Sequence, residues 1–106
     1  MKERAIYKMS SEDYANIAKE VCSNLISPHY FSGTATVVSA TGDETLRLTA
    51  SLIIHRRQPN YFDPQDEGDT IRHIVAIWWD FVCEDEEGLL QDDFDFERFE
   101  EAMCEI

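Results

Sequence analysis

The first clear pattern along the chain is an apolar stripe at helical spacing near the N-terminus. Its members recur at intervals of three and four residues: Tyr14, Ile17, Ala18, Val21, Cys22 and Leu25. Such a stripe is typical of a helix with one buried face. Ser10 or Ser11 offers an N-cap, and Pro28 ends the helix because proline restricts the residue before it. The sequence therefore predicts a helix over residues 11–26.

Two segments with strand-like composition follow. Residues 30–40 are rich in threonine, serine, valine and alanine, and residues 44–55 alternate between apolar and polar side chains. Only Ile53 breaks this alternation, because it falls on the polar side. Gly42 lies between the segments, where a tight turn needs a residue that tolerates positive φ. The pattern predicts a β-hairpin with one half-solvated face.

A third strand is predicted over residues 70–82, and it is apolar on both sides. Strict alternation puts one set on one face: Ile71, His73, Val75, Ile77, Trp79 and Phe81. The other face receives Arg72, Ile74, Ala76, Trp78, Asp80 and Val82. A strand of this kind is usually covered on both sides. We expect helices on one face, with the acidic tail, residues 4–9 or another subunit shielding the second.

The C-terminal region is an acidic turn at 84–88 followed by a last helix. Its apolar positions are Phe96, Phe99, Met103 and Ile106, and Asp92, Asp93 or Asp95 can cap it. The element order is thus α-β-β-β-α. We predict an α+β fold, with a short antiparallel three-stranded sheet and helices packed on it. Residues 4–9 are a weaker candidate for an additional N-terminal strand, and residues 1–106 are expected to form a single domain.

Residues 57–69, between the second and third strands, contain two prolines, one glycine and four acids. This composition predicts an acidic loop, and a loop of this length in a small domain is usually functional or disordered. Oxygen-rich loops can bind calcium, but Pro64 and the irregular spacing of the acids do not fit an EF-hand. A solvated acidic loop is the favoured interpretation.

Charge is spread very unevenly over the 106 residues, whose net charge is −13. Residues 1–57 hold seven Lys and Arg against six Asp and Glu, a net of +1. Residues 58–106 hold two Arg against sixteen Asp and Glu, a net of −14. Such acidity repels nucleic acids and anionic membranes and attracts basic partners. We therefore expect a basic protein partner, no direct nucleic-acid binding and no membrane association.

The α-β-β-β-α order is shared with double-stranded RNA-binding domains. Those domains need basic side chains to neutralise phosphates. The last helix here is acidic, and Arg98 is its only positive residue. The similarity is therefore one of element order, and it does not extend to RNA binding.

Motifs for catalysis, cofactors or metals are absent from the sequence. There is no GxSxG, GxGxxG or P-loop pattern. His55 and His73 lie on consecutive strands, but two histidines alone do not define a zinc site. No catalytic, cofactor-binding or metal-binding residue is assigned. An enzyme with a cryptic site, lined by Asp80, His73 and Tyr7, is the least favoured alternative.

The three cysteines are odd in number and far apart in sequence. This argues against a disulfide framework and for free thiols in a reducing compartment. No apolar run is long enough to span a bilayer, and no signal peptide is recognisable. We expect a cytoplasmic protein.

The most suggestive local feature is the adjacent pair Trp78 and Trp79, since neighbouring strand residues point to opposite faces. The candidate interaction surface combines aromatic residues with acids of the last helix: Trp78, Trp79, Tyr61, Phe62, Glu97, Glu100 and Glu101. Our first hypothesis is an interaction module (an adaptor, a chaperone-like factor or an inhibitor), with self-association into a homodimer as a further option. The alternative is an acidic mimic of nucleic acid that occupies a DNA- or RNA-binding protein.

Overall fold

The structure is a computed structural model that describes residues 6–56 and 71–105. Its elements, in chain order, are α1 (Ser11–Ser23), β1 (Tyr30–Val38), β2 (Thr45–Arg56), β3 (Ile71–Asp85), β4 (Gly88–Leu90) and α2 (Phe96–Cys104). The strands form one antiparallel sheet in the order β1-β2-β3-β4. Both helices pack on the sheet, so the predicted α+β fold is confirmed.

The prediction of three strands was wrong, because the sheet has four. The additional strand is β4, which pairs with the end of β3 after a turn in which Gly88 takes a φ of +118°. It does not come from the candidate N-terminal strand: in the described part of that segment, residues 6–9, Tyr7 makes one isolated bridge, with Asp92. With three residues, β4 is too short to show an alternating pattern in the sequence.

Helix α1 begins where the sequence predicts and ends three residues earlier. Ser10 is its N-cap, in a capping box with Asp13. The helix ends because the Asn24 backbone N–H bonds to the Val21 carbonyl, and Ile26 then donates to the carbonyl of Tyr30. Leu25 and Ile26 therefore belong to the turn that leads into β1. Helix α2 begins after the cap residue Asp95, one of the three candidates.

The hydrophobic core lies between the two helices and one face of the sheet. Its fully buried large side chains come from both helices and from β1, β2 and β3: Ile17, Val21, Phe31, Leu46, Leu48, Leu52, Ile54, Cys83, Phe99 and Met103. The predicted apolar side of β2 thus faces the helices. That arrangement leaves the other face of the sheet without a helix.

One carboxylate, that of Asp13, is buried in this structure and joins three separate segments. It accepts hydrogen bonds from the Tyr7 hydroxyl at 2.6 Å, the Ser10 backbone N–H at 3.0 Å and the Ala40 backbone N–H at 2.8 Å. Burial alone opposes ionisation, but these hydrogen bonds outweigh it and lower the pKa of Asp13. The N-terminal segment, α1 and the β1–β2 turn are therefore held together by an ionised group.

All three cysteines are free thiols, and Cys83 is the fully buried one. Burial, assisted by the negative charge of Asp92, raises the pKa of the Cys83 thiol to about 11. Because the thiolate is the reactive form, we expect native Cys83 to react with iodoacetamide at least ~10-fold more slowly than the half-buried Cys22 and Cys104. Peptide mass spectrometry with and without urea measures this difference. Equal labelling of Cys83 and Cys104 in native protein would contradict the packing described for β3.

Candidate interaction surface

The sheet has one face under the helices and a second face, called here the open face, which no described residue from either helix covers. On β2 the open face carries the polar side of the alternation: Thr45, Arg47, Thr49, Ser51, Ile53 and His55. β1 contributes threonine and serine, with Ser32 bonded to Ser51 and Thr34 bonded to Thr49 through their hydroxyls. The centre of the open face is thus polar and hydrogen-bonded.

A β-bulge at Ile77 changes which side chains of β3 reach the open face. Ser51 pairs with Trp78 and the next residue, Leu52, pairs with Ala76, which leaves Ile77 as the extra residue. The predicted alternation along this strand was therefore wrong at Ile77, and a second irregularity between His73 and Ile71 interrupts it again. The helix side of the sheet carries Ala76, Trp79 and Phe81. The open face carries Ile77 and Trp78, which come between Ala76 and Trp79 in the sequence.

Trp78 and Ile77 join three neighbours to form an apolar area, called here the tryptophan patch. Tyr30, Ile53 and Val75 lie in one row across β1, β2 and β3, and Ile77 and Trp78 lie one pair further along. Ile53 is 38% exposed, Val75 41%, Trp78 51% and Ile77 60%. A sheet face in water is normally polar, so this cluster of large exposed apolar side chains is the candidate interaction surface.

The opposite end of the sheet is acidic. Here the β1–β2 and β3–β4 turns lie side by side, and they line one hollow with Gly42, Asp43, Asp85, Glu86 and Glu87. Glu84 continues the acidic region onto the open face, where it pairs with Arg47. Nine residues of strand separate Val75 from Glu84, a distance of about 30 Å. The open face therefore runs from an apolar end to an acidic end, with the exposed Asp80 between them.

The two tryptophans of the predicted surface lie on opposite faces, as the sequence indicated. Trp79 is on the helix side, where its ring lies 5.3 Å from Phe94 and 5.6 Å from Phe96. Phe94 also stacks on Phe81 at 4.2 Å. Trp79 thus belongs to an aromatic cluster under α2, and Trp78 is the tryptophan available on the open face.

The predicted acids of the last helix are on a different layer from the tryptophan patch. Glu97 and Glu101 are exposed on α2, which packs on the helix side of the sheet. Tyr61 and Phe62, the other predicted aromatic pair, and the predicted acidic loop at 57–69 lie outside the described residues. The structure therefore places Trp78 on the other side of the sheet from Glu97 and Glu101.

Glu100 has a structural contact that the sequence did not reveal. Its carboxylate accepts the backbone N–H of Ile74 at 2.8 Å and lies 2.7 Å from Nδ1 of His73. β4 pairs only with residues 83–85 of β3, so the earlier part of that strand has no neighbouring strand within the described ranges. Glu100 satisfies one backbone group on this edge.

Glu100→Ala is expected to lower the free energy of unfolding by about 1–3 kcal/mol, because the N–H of Ile74 loses its acceptor. Urea denaturation monitored by circular dichroism measures the change. Glu101→Ala on the exposed side of the same helix is the matched control and should change stability by no more than about 0.5 kcal/mol. Equal effects of the two substitutions would show that Glu100 does not support the edge of β3.

His55 and His73, which the sequence places on consecutive strands, are paired in register, and their rings stack with centroids 6.0 Å apart. In residues 6–56 and 71–105, no three His, Cys, Asp or Glu side chains are grouped so that they could hold a metal ion. The residues of the cryptic-site alternative are also apart. Tyr7 bonds to Asp13, and Asp80 is exposed on the open face.

Most of the tryptophan patch was missed in the sequence. Tyr30, Val75 and Ile77 were assigned to strands without a role, although the two-sided apolar character of the third strand pointed to a second contact surface. Ile53 was the sharper signal, since it breaks the alternation of β2 by placing an apolar side chain on the polar face. Neither helix in the described part of the chain is long and apolar enough to cross a membrane.

Comparisons with known proteins give this surface no counterpart: no family model, curated protein or solved structure matches the chain.

Proposed function

We propose that this protein is an interaction module that binds a basic, partly apolar partner protein across its open face. The observation that supports the proposal most strongly is the tryptophan patch, which lies on the face that α1 and α2 leave uncovered. Tryptophan is enriched among the residues that dominate binding energy at protein interfaces. A partner that places an apolar side chain beside Trp78 would remove this area from water.

The distribution of charge supports a basic partner. The acids at the far end of the open face, Asp43, Glu84 and Glu86, would face lysine or arginine side chains of a protein lying along the strands. The net charge of −13 would speed the encounter with a cation-rich surface, mainly through the association rate. The apolar patch would then provide the short-range contact that slows dissociation.

The alternative proposal is the acidic nucleic-acid mimic, and α2 supports it. Glu97, Glu101 and Glu105 are exposed at intervals of four residues, so they form one acidic line along the helix. This line and the tryptophan patch lie on opposite sides of the sheet. Substitutions on the two sides therefore separate the two proposals.

The experiment is affinity capture from host lysate with the tagged protein, at low and high salt, with and without nuclease. We use wild-type protein, Trp78→Ala and the double variant Glu97→Gln with Glu101→Gln. The proposal predicts that a basic protein is captured and remains bound after nuclease treatment. Its capture should decrease at high salt and be lost with Trp78→Ala. A partner that added DNA displaces, and that only the double glutamine variant loses, would favour the mimic. Capture that no substitution affects would contradict both.

The cytoplasmic location belongs to the same proposal. Cys22, Cys83 and Cys104 are all free thiols, which agrees with a reducing compartment. An adaptor, a chaperone-like factor and an inhibitor would each use the open face in the same way. The identity of the captured protein would distinguish these roles.

A further inference from the structure

Strand β1 forms one edge of the sheet, and beyond Tyr30 its outward backbone groups have no backbone partner among the described residues. The N–H and C=O of Tyr30 point away from β2, because they bond to Ser27 and Ile26. Backbone direction alternates along a strand, and the β1–β2 register has no irregularity, so every second residue also points outward. These residues are Ser32, Thr34, Thr36 and Val38. Over the described ranges, no backbone hydrogen bond uses their outward groups.

The chemistry of β1 leaves this edge unprotected. Its nine residues contain no charged side chain and no proline, which are the usual devices that stop an edge strand from pairing with another chain. The other edge of the sheet differs. It carries the short strand β4, and the Glu100 carboxylate bonds to β3 beside it.

We propose that β1 pairs with β1 of a second copy of this chain, antiparallel about a two-fold axis at Thr34, so that the two sheets become continuous. The sequence of β1 suits this symmetry. The axis places Ser32 opposite Thr36 and Gly33 opposite Ala35, so hydroxyl meets hydroxyl and small residue meets small residue. The outward-facing pairs Ser32–Thr36 and Thr34–Thr34 each exchange two backbone hydrogen bonds, whereas Tyr30, opposite Val38, keeps its bonds to Ser27 and Ile26. The two surfaces are identical, as a two-fold interface requires.

The charge distribution favours this edge for self-association despite the net charge of −13. β1 and β2 lie in the half of the chain with net charge +1, whereas β3, β4 and α2 lie in the half with net charge −14. Pairing through β1 puts the two β3 strands five strand spacings apart, about 24 Å. That is roughly three Debye lengths at physiological ionic strength, so repulsion between these strands is largely screened.

Analytical ultracentrifugation over a concentration series tests the proposal, and we expect wild-type protein to form a concentration-dependent dimer. Thr36→Pro removes an outward N–H at an edge position where proline is tolerated in a strand. It should raise the dimer Kd about tenfold or more, because two hydrogen bonds are lost per dimer. Thr36→Ala keeps the N–H and is the matched control, with a Kd close to wild type. Circular dichroism reports whether Thr36→Pro is folded.

A cross-linking experiment tests the axis without depending on that variant. In a hydrogen-bonded antiparallel pair the Cα atoms lie about 5.5 Å apart, within reach of a disulfide. Thr34→Cys should therefore form a covalent dimer under mild oxidation. Thr49→Cys, on the same face of β2, is three strand spacings or about 14 Å from its copy and should remain monomeric.

The proposal would be overturned by a wild-type monomer at every concentration, by a dimer that folded Thr36→Pro leaves intact, or by equal cross-linking of the two cysteine variants. Trp78→Ala should leave the dimer unchanged, because Trp78 is on β3, two strands away from the β1 edge. A dimer abolished by Trp78→Ala would place the interface on the open face and would also overturn the proposal.

Discussion

Replacing Asp13 with alanine is expected to lower the free energy of unfolding by about 3 kcal/mol, a large part of the stability of a domain of this size. The carboxylate serves three donors on three segments, the Tyr7 hydroxyl and the backbone N–H groups of Ser10 and Ala40. All three donors point at the buried carboxylate, and alanine offers none of them an acceptor. Desolvated donors without a partner are among the most destabilising defects.

Acid should reduce the effect of the Asp13 substitution. Burial raises the pKa of this carboxyl, but the hydrogen bonds outweigh burial and hold the folded pKa below the usual value. The stabilisation is thus present above the unfolded pKa, about 3.9, and is lost as pH falls through the folded pKa. The difference in stability between wild type and Asp13→Ala should therefore shrink between pH 5 and the acid limit of folding.

Urea denaturation at several pH values measures both effects. Glu12→Ala is the matched control, because Glu12 is the preceding acid in the same first turn but is exposed. Its loss removes only a favourable interaction with the helix dipole and should lower stability by about 0.3–1 kcal/mol. If Asp13→Ala and Glu12→Ala were equally destabilised, Asp13 would not be the junction that the structure describes.

Trp78→Ala is expected to weaken binding of the captured partner at least ~30-fold, which corresponds to the loss of a hot-spot residue at the centre of an interface. The side chain is half exposed in the free protein. Its removal should therefore change stability little. Isothermal titration calorimetry with the purified partner measures the affinity, and urea denaturation confirms that the variant is folded.

Trp79→Ala is the control that the structure provides one residue away. Trp79 contacts Phe94 and Phe96 on the helix side. Its loss should lower the free energy of unfolding by about 1–3 kcal/mol, while the Kd for the partner changes by less than about threefold. Loss of binding with Trp79→Ala but not with Trp78→Ala would place the partner on the helix side of the sheet.

The sequence predicted the elements with strong periodicity and missed those that depend on pairing. The helical stripe from Tyr14 to Leu25 located α1, and the alternation from Leu46 to Ile54 identified the buried side of β2. Both patterns are local, because burial of one face requires that spacing. Strand β4 has only three residues, and its existence depends on the turn that returns Leu89 and Leu90 to β3.

The candidate surface was less predictable because a single bulge determines it. Strict alternation placed Ile77 and Trp79 on one face, whereas the extra residue in β3 moves Ile77 to the side of Trp78. Nothing in the local sequence at Ile77 indicates a bulge, since the position depends on the register with Ser51 and Leu52. The correct inference from the sequence was the more general one, that the third strand is apolar on both sides.

Hydroxyl-radical footprinting is the sharpest test of whether the open face binds a partner through the tryptophan patch. The protein is oxidised alone and in complex with the captured partner, and tandem mass spectrometry distinguishes Trp78 from Trp79. Both side chains are substantially exposed in the free protein, at 51% and 42%, so both should be oxidised there. We expect the bound partner to protect Trp78 from oxidation and to leave Trp79 reactive. Equal oxidation of Trp78 in the free and bound protein, or protection of Trp79 alone, would contradict binding through the tryptophan patch.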